Sequence, residues 1–103
     1  MESTNQLVSV VVPTHNRKTL LKETIESILK QSYSNLELIV VSDGSNDGTN
    51  KMVSQINDAR VRLIEHAQSG QPAKPRNAGI VAAKGSYIAL CDDDDLWEPN
   101  KLE

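Results

Sequence analysis

Apolar residues fall into four short runs set between polar stretches. Leu7-Val8-Ser9-Val10-Val11-Val12 ends at Pro13, Leu36-Glu37-Leu38-Ile39-Val40-Val41 ends at Ser42, and Val61-Arg62-Leu63-Ile64 and Ser86-Tyr87-Ile88-Ala89-Leu90-Cys91 follow. Runs of this length, rich in β-branched residues, predict strands buried on both faces of a parallel sheet. Between the first two runs, Leu20, Leu21, Ile25, Ile28 and Leu29 share one helical face, and Lys22, Glu23, Glu26 and Lys30 lie largely elsewhere, which predicts an amphipathic helix. The stretch 43–49 is dense in turn formers and N-cap residues and opens a second helix bearing Met52, Val53 and Ile56 on one side. The Gly and Pro content of 69–75 predicts a loop, and Asn77 to Ala83 reads as a short Ala-rich helix ended by Gly85. Four strands alternating with three helices predict an α/β fold: a Rossmann-like parallel sheet with flanking helices, right-handed crossovers, and ligands at the carboxyl ends of the strands.

Length and charge narrow this picture. The 103 residues, 38% of them hydrophobic, suffice for one small domain, and the net charge of -3 provides no basic surface for nucleic acid. Cys91 is the single cysteine, so no internal disulfide can form and a reducing cytoplasm is the expected location. The first six residues are polar, without the basic start and apolar stretch of a signal peptide. No apolar run approaches the ~20 residues needed to span a bilayer, so membrane association is expected only through a portion outside these residues. The stretch 97–103 carries no closing element, and residues 1–103 are expected to be the first part of a longer protein.

The acidity peaks at Asp92-Asp93-Asp94-Asp95, directly after the fourth strand. If strand geometry persists there, Asp92 and Asp94 point to one side and Asp93 and Asp95 to the other. Two carboxylates about 6 Å apart repel by roughly 3 kcal/mol at an effective dielectric near 20, a cost that a divalent cation reverses. Oxygen-only ligands favour a hard ion such as Mg²⁺ or Mn²⁺, which keeps open positions for water and phosphate oxygens. An acidic run at an arbitrary position is more often a solvated turn; its place at the end of a buried strand shifts the reading toward metal.

Other polar residues near strand ends are each ambiguous alone. Asp43 can accept hydrogen bonds from a ligand's N–H groups or cap the helix that follows, and spacing by itself favours capping. Asp43, Ser45, Asp47 and Gly48 match the start of a calcium loop, but the twelfth position is Ser54, which rules out an EF-hand. Arg17 and Arg76 sit in predicted loops, where a guanidinium can grip a diphosphate or remain a surface charge. His15 has no Cys or His partners nearby, so zinc is discounted. Cys91 reads as a packing residue and Trp97 as a cover over the strand end. The sequence contains neither a P-loop nor a G-x-G-x-x-G pattern.

Taken together, Val8 to Arg17, Val41 to Thr49, Arg76-Asn77-Ala78-Gly79 and Asp92 to Pro99, with Gly85 to Leu90 before the acids, resemble the family-2 glycosyltransferases of the GT-A fold. The match spans almost the whole chain. This resemblance implies that Asp43 hydrogen-bonds a nucleotide base, that Pro13, Thr14, His15 and Arg17 border base and ribose, that Arg76 approaches the diphosphate, and that Asp93 contacts the ribose side. It implies Asp94 as the principal ligand to Mn²⁺ or Mg²⁺, with Asp92 the first acid of the family's D-x-D motif. It further implies transfer of a sugar from a nucleotide donor, a uridine diphosphate sugar by expectation, to a glycan or lipid-linked acceptor with inversion at the anomeric carbon. Acceptor contacts and the general base are expected after Glu103. Two departures stand out: His15 where many members have Tyr, and Ser42 where many have Asp.

Two competing readings differ in class. A non-catalytic nucleotide- or metal-binding module would keep the fold without the chemistry. A nucleotidyltransferase also uses acidic strand ends and a divalent metal, but normally has a Gly-rich basic loop after the first strand, which Thr14-His15-Asn16-Arg17 is not.

Overall fold

The computed structural model of the protein describes residues 6–67 and 73–102. The elements run β1 (Val8–Thr14), α1 (Lys18–Leu29), β2 (Leu36–Asp43), α2 (Thr49–Ser54), β3 (Val61–His66), α3 (Ala73–Ala82) and β4 (Tyr87–Leu90). All strands pair in parallel, in the order β3-β2-β1-β4. This is the expected α/β sheet of four strands with three flanking helices.

Strand order explains the burial gradient. β2 is buried at every residue and β1 at all but Pro13, because each has a strand on both sides and helices on both faces. Val8, Val10 and Val12 join Leu36, Leu38 and Val40 in a core with Leu21, Ile25 and Ile28 of α1 and Val53 of α2. The alternate residues Val11, Ile39 and Val41 face Ala78 and Ala82 of α3. Gly79 permits that second contact: a Cβ there would stand 2.4 Å from Val11 Cγ1 and 3.1 Å from Val41 Cγ2. Any side chain at 79 would push α3 off the sheet.

The edges depart from the expectation of strands buried on both faces. β3 is half-buried, and β4 is largely exposed, with Tyr87, Ile88 and Leu90 all open to solvent. An apolar run reports hydrophobicity but not position within a sheet, and β4 occupies an edge. α3 begins at Ala73, so Ala73–Pro75 is helix rather than loop; the rest of the predicted loop lies outside the described residues. Pro75 is tolerated because a first-turn residue needs no N–H partner. Arg76 is accordingly on a helix, not in a loop.

The stretch after the acids packs back against α1. It runs back along one face of α1, where residues three and four apart line up. Ser27 Oγ accepts the Trp97 N–H (3.1 Å), Gln31 Nε2 donates to the Glu98 carbonyl (2.6 Å), and Gln31 Oε1 accepts the Leu102 N–H (3.1 Å). Trp97 is thereby buried in the α1-side core beside Cys91, with Lys101 Nζ 5.4 Å from its ring centre.

Candidate functional site

In the order β3-β2-β1-β4 the chain leaves β1 for β2 on one side and reaches β4 on the other, so the connections diverge between β1 and β4. Such a switch point opens a crevice at the carboxyl ends of the strands. Thr14, the last residue of β1, and the acids that follow β4 stand on its two sides. Thr14 Oγ1 donates across it to Asp93 Oδ2 at 2.9 Å.

The acidic run does not continue the strand. β4 stops at Leu90, and Asp92 to Asp95 form a turn closed by a hydrogen bond from the Asp95 N–H to the Asp92 carbonyl (3.2 Å). Side-chain alternation therefore does not assign Asp92 and Asp94 to one side, because the extended backbone it requires ends at Leu90. The turn sorts them instead by burial and partners. Asp93 is tucked in, its side chain 15% exposed, with Thr14 on its carboxylate and Thr24 Oγ1 of α1 donating to its carbonyl at 3.1 Å. Asp94 is 49% exposed, and Asp92 and Asp95 are exposed as well. Arg17 spans the pair, with Nε 3.9 Å from Asp93 Oδ2 and Nη1 3.4 Å from Asp94 Oδ2.

No three His, Cys, Asp or Glu side chains among the described residues are grouped closely enough to hold a metal by themselves. The donor set still suits a hard divalent ion, which is commonly bound through one or two carboxylates with water and phosphate oxygens completing the octahedron. Exposed Asp92 and Asp94 can supply those carboxylates, whereas Asp93 is largely buried and accepts from Thr14.

Asp43 ends β2, its side chain only 10% exposed, and does not cap α2. The N-cap of α2 is Gly48, and Asp47 before it ties the two helix starts together: its Oδ1 accepts the Thr49 N–H (3.1 Å) and hydroxyl, and its Oδ2 accepts the Lys18 N–H at the start of α1 (3.2 Å). The Thr49 hydroxyl foremost, together with these N–H groups, holds the Asp47 carboxyl below its ordinary value despite some desolvation. Asp43 instead meets His66 Nδ1 at 3.2 Å and offers its backbone carbonyl to His15 Nδ1 at 2.6 Å. Pro13 and Thr14 lie in register with Val41 and Ser42, so both flank the same strand end. Asn16, at φ 51°, locks the first loop to the second: its N–H donates to Ser45 Oγ and its Oδ1 accepts the Asn46 N–H. Short polar side chains reach this left-handed backbone most easily.

Arg76 lies in the first half of α3, half-buried. Because β3 delivers the chain at its carboxyl end, α3 starts at the same edge as the site. Cys91 is buried, and burial first, then Asp95 and Asp92, push its thiol up to about 12; it is an inert packing residue. The residues missed by sequence reasoning are Thr24, His66 and Asp47. Thr24 and His66 are placed by contacts across the fold, and only Asp47, an Asx-turn former two residues before Thr49, had a readable signal.

The model of the family described as "Glycosyl transferase family 2" matches residues 9–103. The UDP-Glc:alpha-D-GlcNAc-diphosphoundecaprenol beta-1,3-glucosyltransferase WfgD of Escherichia coli is 39% identical over 97 residues, covering 94% of this chain and 38% of that protein. The fold superposes on Staphylococcus aureus TarS 1-349 in complex with UDP with a TM-score of 0.85 and 32% identity, over 92% of this chain and 29% of that one. It also superposes on the mannosyltransferase PcManGT from Pyrobaculum calidifontis in complex with GDP-Man and Mn2+, with a TM-score of 0.81 and 32% identity over 89% and 28% of the two chains. The chain thus spans well under half the length of these proteins.

Proposed function

The chain belongs to glycosyl transferase family 2, and from that premise we propose that residues 1–103 form the donor-binding part of an enzyme that moves a sugar from a nucleoside diphosphate to an acceptor hydroxyl. The observation that carries this reading is the junction of Thr14, Arg17, Asp93 and Asp94 at the β1/β4 switch point, with Asp43 at the next strand end. It sets a buried carboxylate for a base beside a mixed acid and guanidinium cluster for a diphosphate.

In this assignment Asp43 accepts the N–H of the base, Pro13, Thr14 and His15 border base and ribose, and Asp93 faces the ribose. Arg17 is near the ribose and, with Arg76, within the reach of a diphosphate. Asp92 and Asp94 would hold Mn²⁺ or Mg²⁺, which would stabilise the negative charge developing on the departing diphosphate. Arg17 pairs with Asp94 at 3.4 Å, and its exposed guanidinium could also turn to a diphosphate. The uridine assignment is supported by TarS, solved with UDP, and by WfgD, named for UDP-Glc; the metal is supported by PcManGT, solved with Mn2+. A glycan or lipid-linked acceptor follows the name of WfgD. Transfer with inversion and a general base supplied beyond Glu103 complete the proposal. No helix among the described residues is long and apolar enough to cross a membrane.

Titration calorimetry of UDP with Mn²⁺ and with chelator tests the reading. Affinity is expected to fall at least about tenfold without the ion; equal affinity in both would defeat it.

A further inference from the structure

We infer that His66 is a positioning residue for nucleobase recognition, acting through Asp43. The inference rests on the proposal that Asp43 receives the base. Asp43 and His66 are register partners on the last rung between β2 and β3, and the Gly44 N–H donates to the His66 carbonyl at 2.9 Å, so backbone pairing fixes both side chains at one strand edge. His66 Nδ1 lies 3.2 Å from Asp43 Oδ1 and 2.7 Å from the Ala67 carbonyl oxygen. Both neighbours are acceptors, so Nδ1 carries the proton and donates to the two together. The contact is partly shielded, with the Asp43 side chain 10% and the His66 side chain 28% exposed.

The consequence is directional. A carboxylate on a single Cβ turns about χ2 with a broad preference, and a base N–H rewards only one orientation. His66 fixes one oxygen of Asp43, while His15 fixes its carbonyl at 2.6 Å from the other side. The carboxylate is thereby set before a ligand arrives, which lowers the ordering cost of binding. Groups that contribute only to the diphosphate end, such as Asp94, are not part of this arrangement.

The test compares UDP with inorganic pyrophosphate, both in Mn²⁺, on the wild-type chain and on three variants. His66→Ala and the bulkier His66→Leu remove the donor; His66→Asn keeps an N–H near the place of Nδ1. The two donor-free variants are expected to bind UDP about tenfold more weakly with pyrophosphate affinity unchanged, and His66→Asn to stay within about twofold of wild type for both. A wild-type preference for UDP that His66→Leu retains overturns the role of His66 alone. Equal loss of UDP and pyrophosphate in all three variants shows a structural role and overturns it as well. Wild type binding UDP no better than pyrophosphate overturns the base-site reading beneath it.

Discussion

At the amino end of the strands, Glu37 lies against α3 with every neighbour arranged around it. Ser9 Oγ donates to its Oε2 at 2.6 Å, the Lys84 N–H to the same oxygen at 2.7 Å, and Arg62 Nη1 to Oε1 at 3.0 Å; Ser9 Oγ in turn accepts the Gly85 N–H at 2.8 Å. At the carboxyl end, Asp94 meets Arg17 at 3.4 Å with both side chains 49% exposed, and Asp92 and Asp95 stand in solvent. Each end brings an arginine to acidic side chains, Arg62 to Glu37 at one and Arg17 to Asp93 and Asp94 at the other. One end satisfies its carboxylate within the protein, and the other leaves Asp92, Asp94 and Asp95 exposed. Charge alone therefore does not mark a site: a saturated network holds α3 and the β4 entry in place, and exposed carboxylates with few internal partners leave capacity for a ligand.

The amino end should be the more sensitive to mutation. Glu37→Ala strips an acceptor from three donors, and with Glu37 only 10% exposed it is expected to cost roughly 2 to 3 kcal/mol, read by urea denaturation. A loss under about 0.5 kcal/mol would erase the contrast between the ends. Its acid response sharpens the point. Burial pushes the Glu37 carboxyl up, but Ser9, the Lys84 N–H and Arg62 together more than offset this and leave it below its ordinary 4.5. A depressed carboxylate contributes stability that is present above 4.5 and lost as the pH falls through its folded value. Stability should therefore decline below pH 4.5, and Glu37→Gln should flatten that decline, with Asp47 and Asp58, also held low, leaving a residual slope. An unchanged slope in the variant would show that Glu37 is not held as described. Arg17→Gln, at the other end, should move stability by under about 0.5 kcal/mol because exposed ion pairs contribute little, while weakening UDP binding in calorimetry.

Much of this was legible in the sequence, for identifiable reasons. Buried strands such as Val10-Val11-Val12 and Ile39-Val40-Val41 announce themselves by hydrophobicity, and the face of Leu21, Ile25 and Ile28 by its period. Lateral order was not legible, and with it went the exposure of β4. The residues of the site could be placed at strand ends by counting along the chain. Their pairing could not: Thr14 with Asp93 spans 79 positions and Arg17 with Asp94 spans 77, and the turn at Asp92–Asp95 replaced the expected alternation. Glu37 within an apolar run was a visible signal of a buried partner, but its partners Ser9, Arg62 and Lys84 come from three other parts of the chain.

The division between the ends is tested most directly by thermal melts with and without UDP and Mn²⁺ at about a hundred times the dissociation constant. Ligand at that level stabilises by about 2.7 kcal/mol, or roughly 10 °C or more for a domain of this size. Wild type and Glu37→Gln are expected to gain this same increment from different starting points, and Asp94→Asn to start near wild type and gain little of it. An Asp94→Asn variant that gains as much as wild type, or a Glu37→Gln variant that gains nothing, would contradict the account.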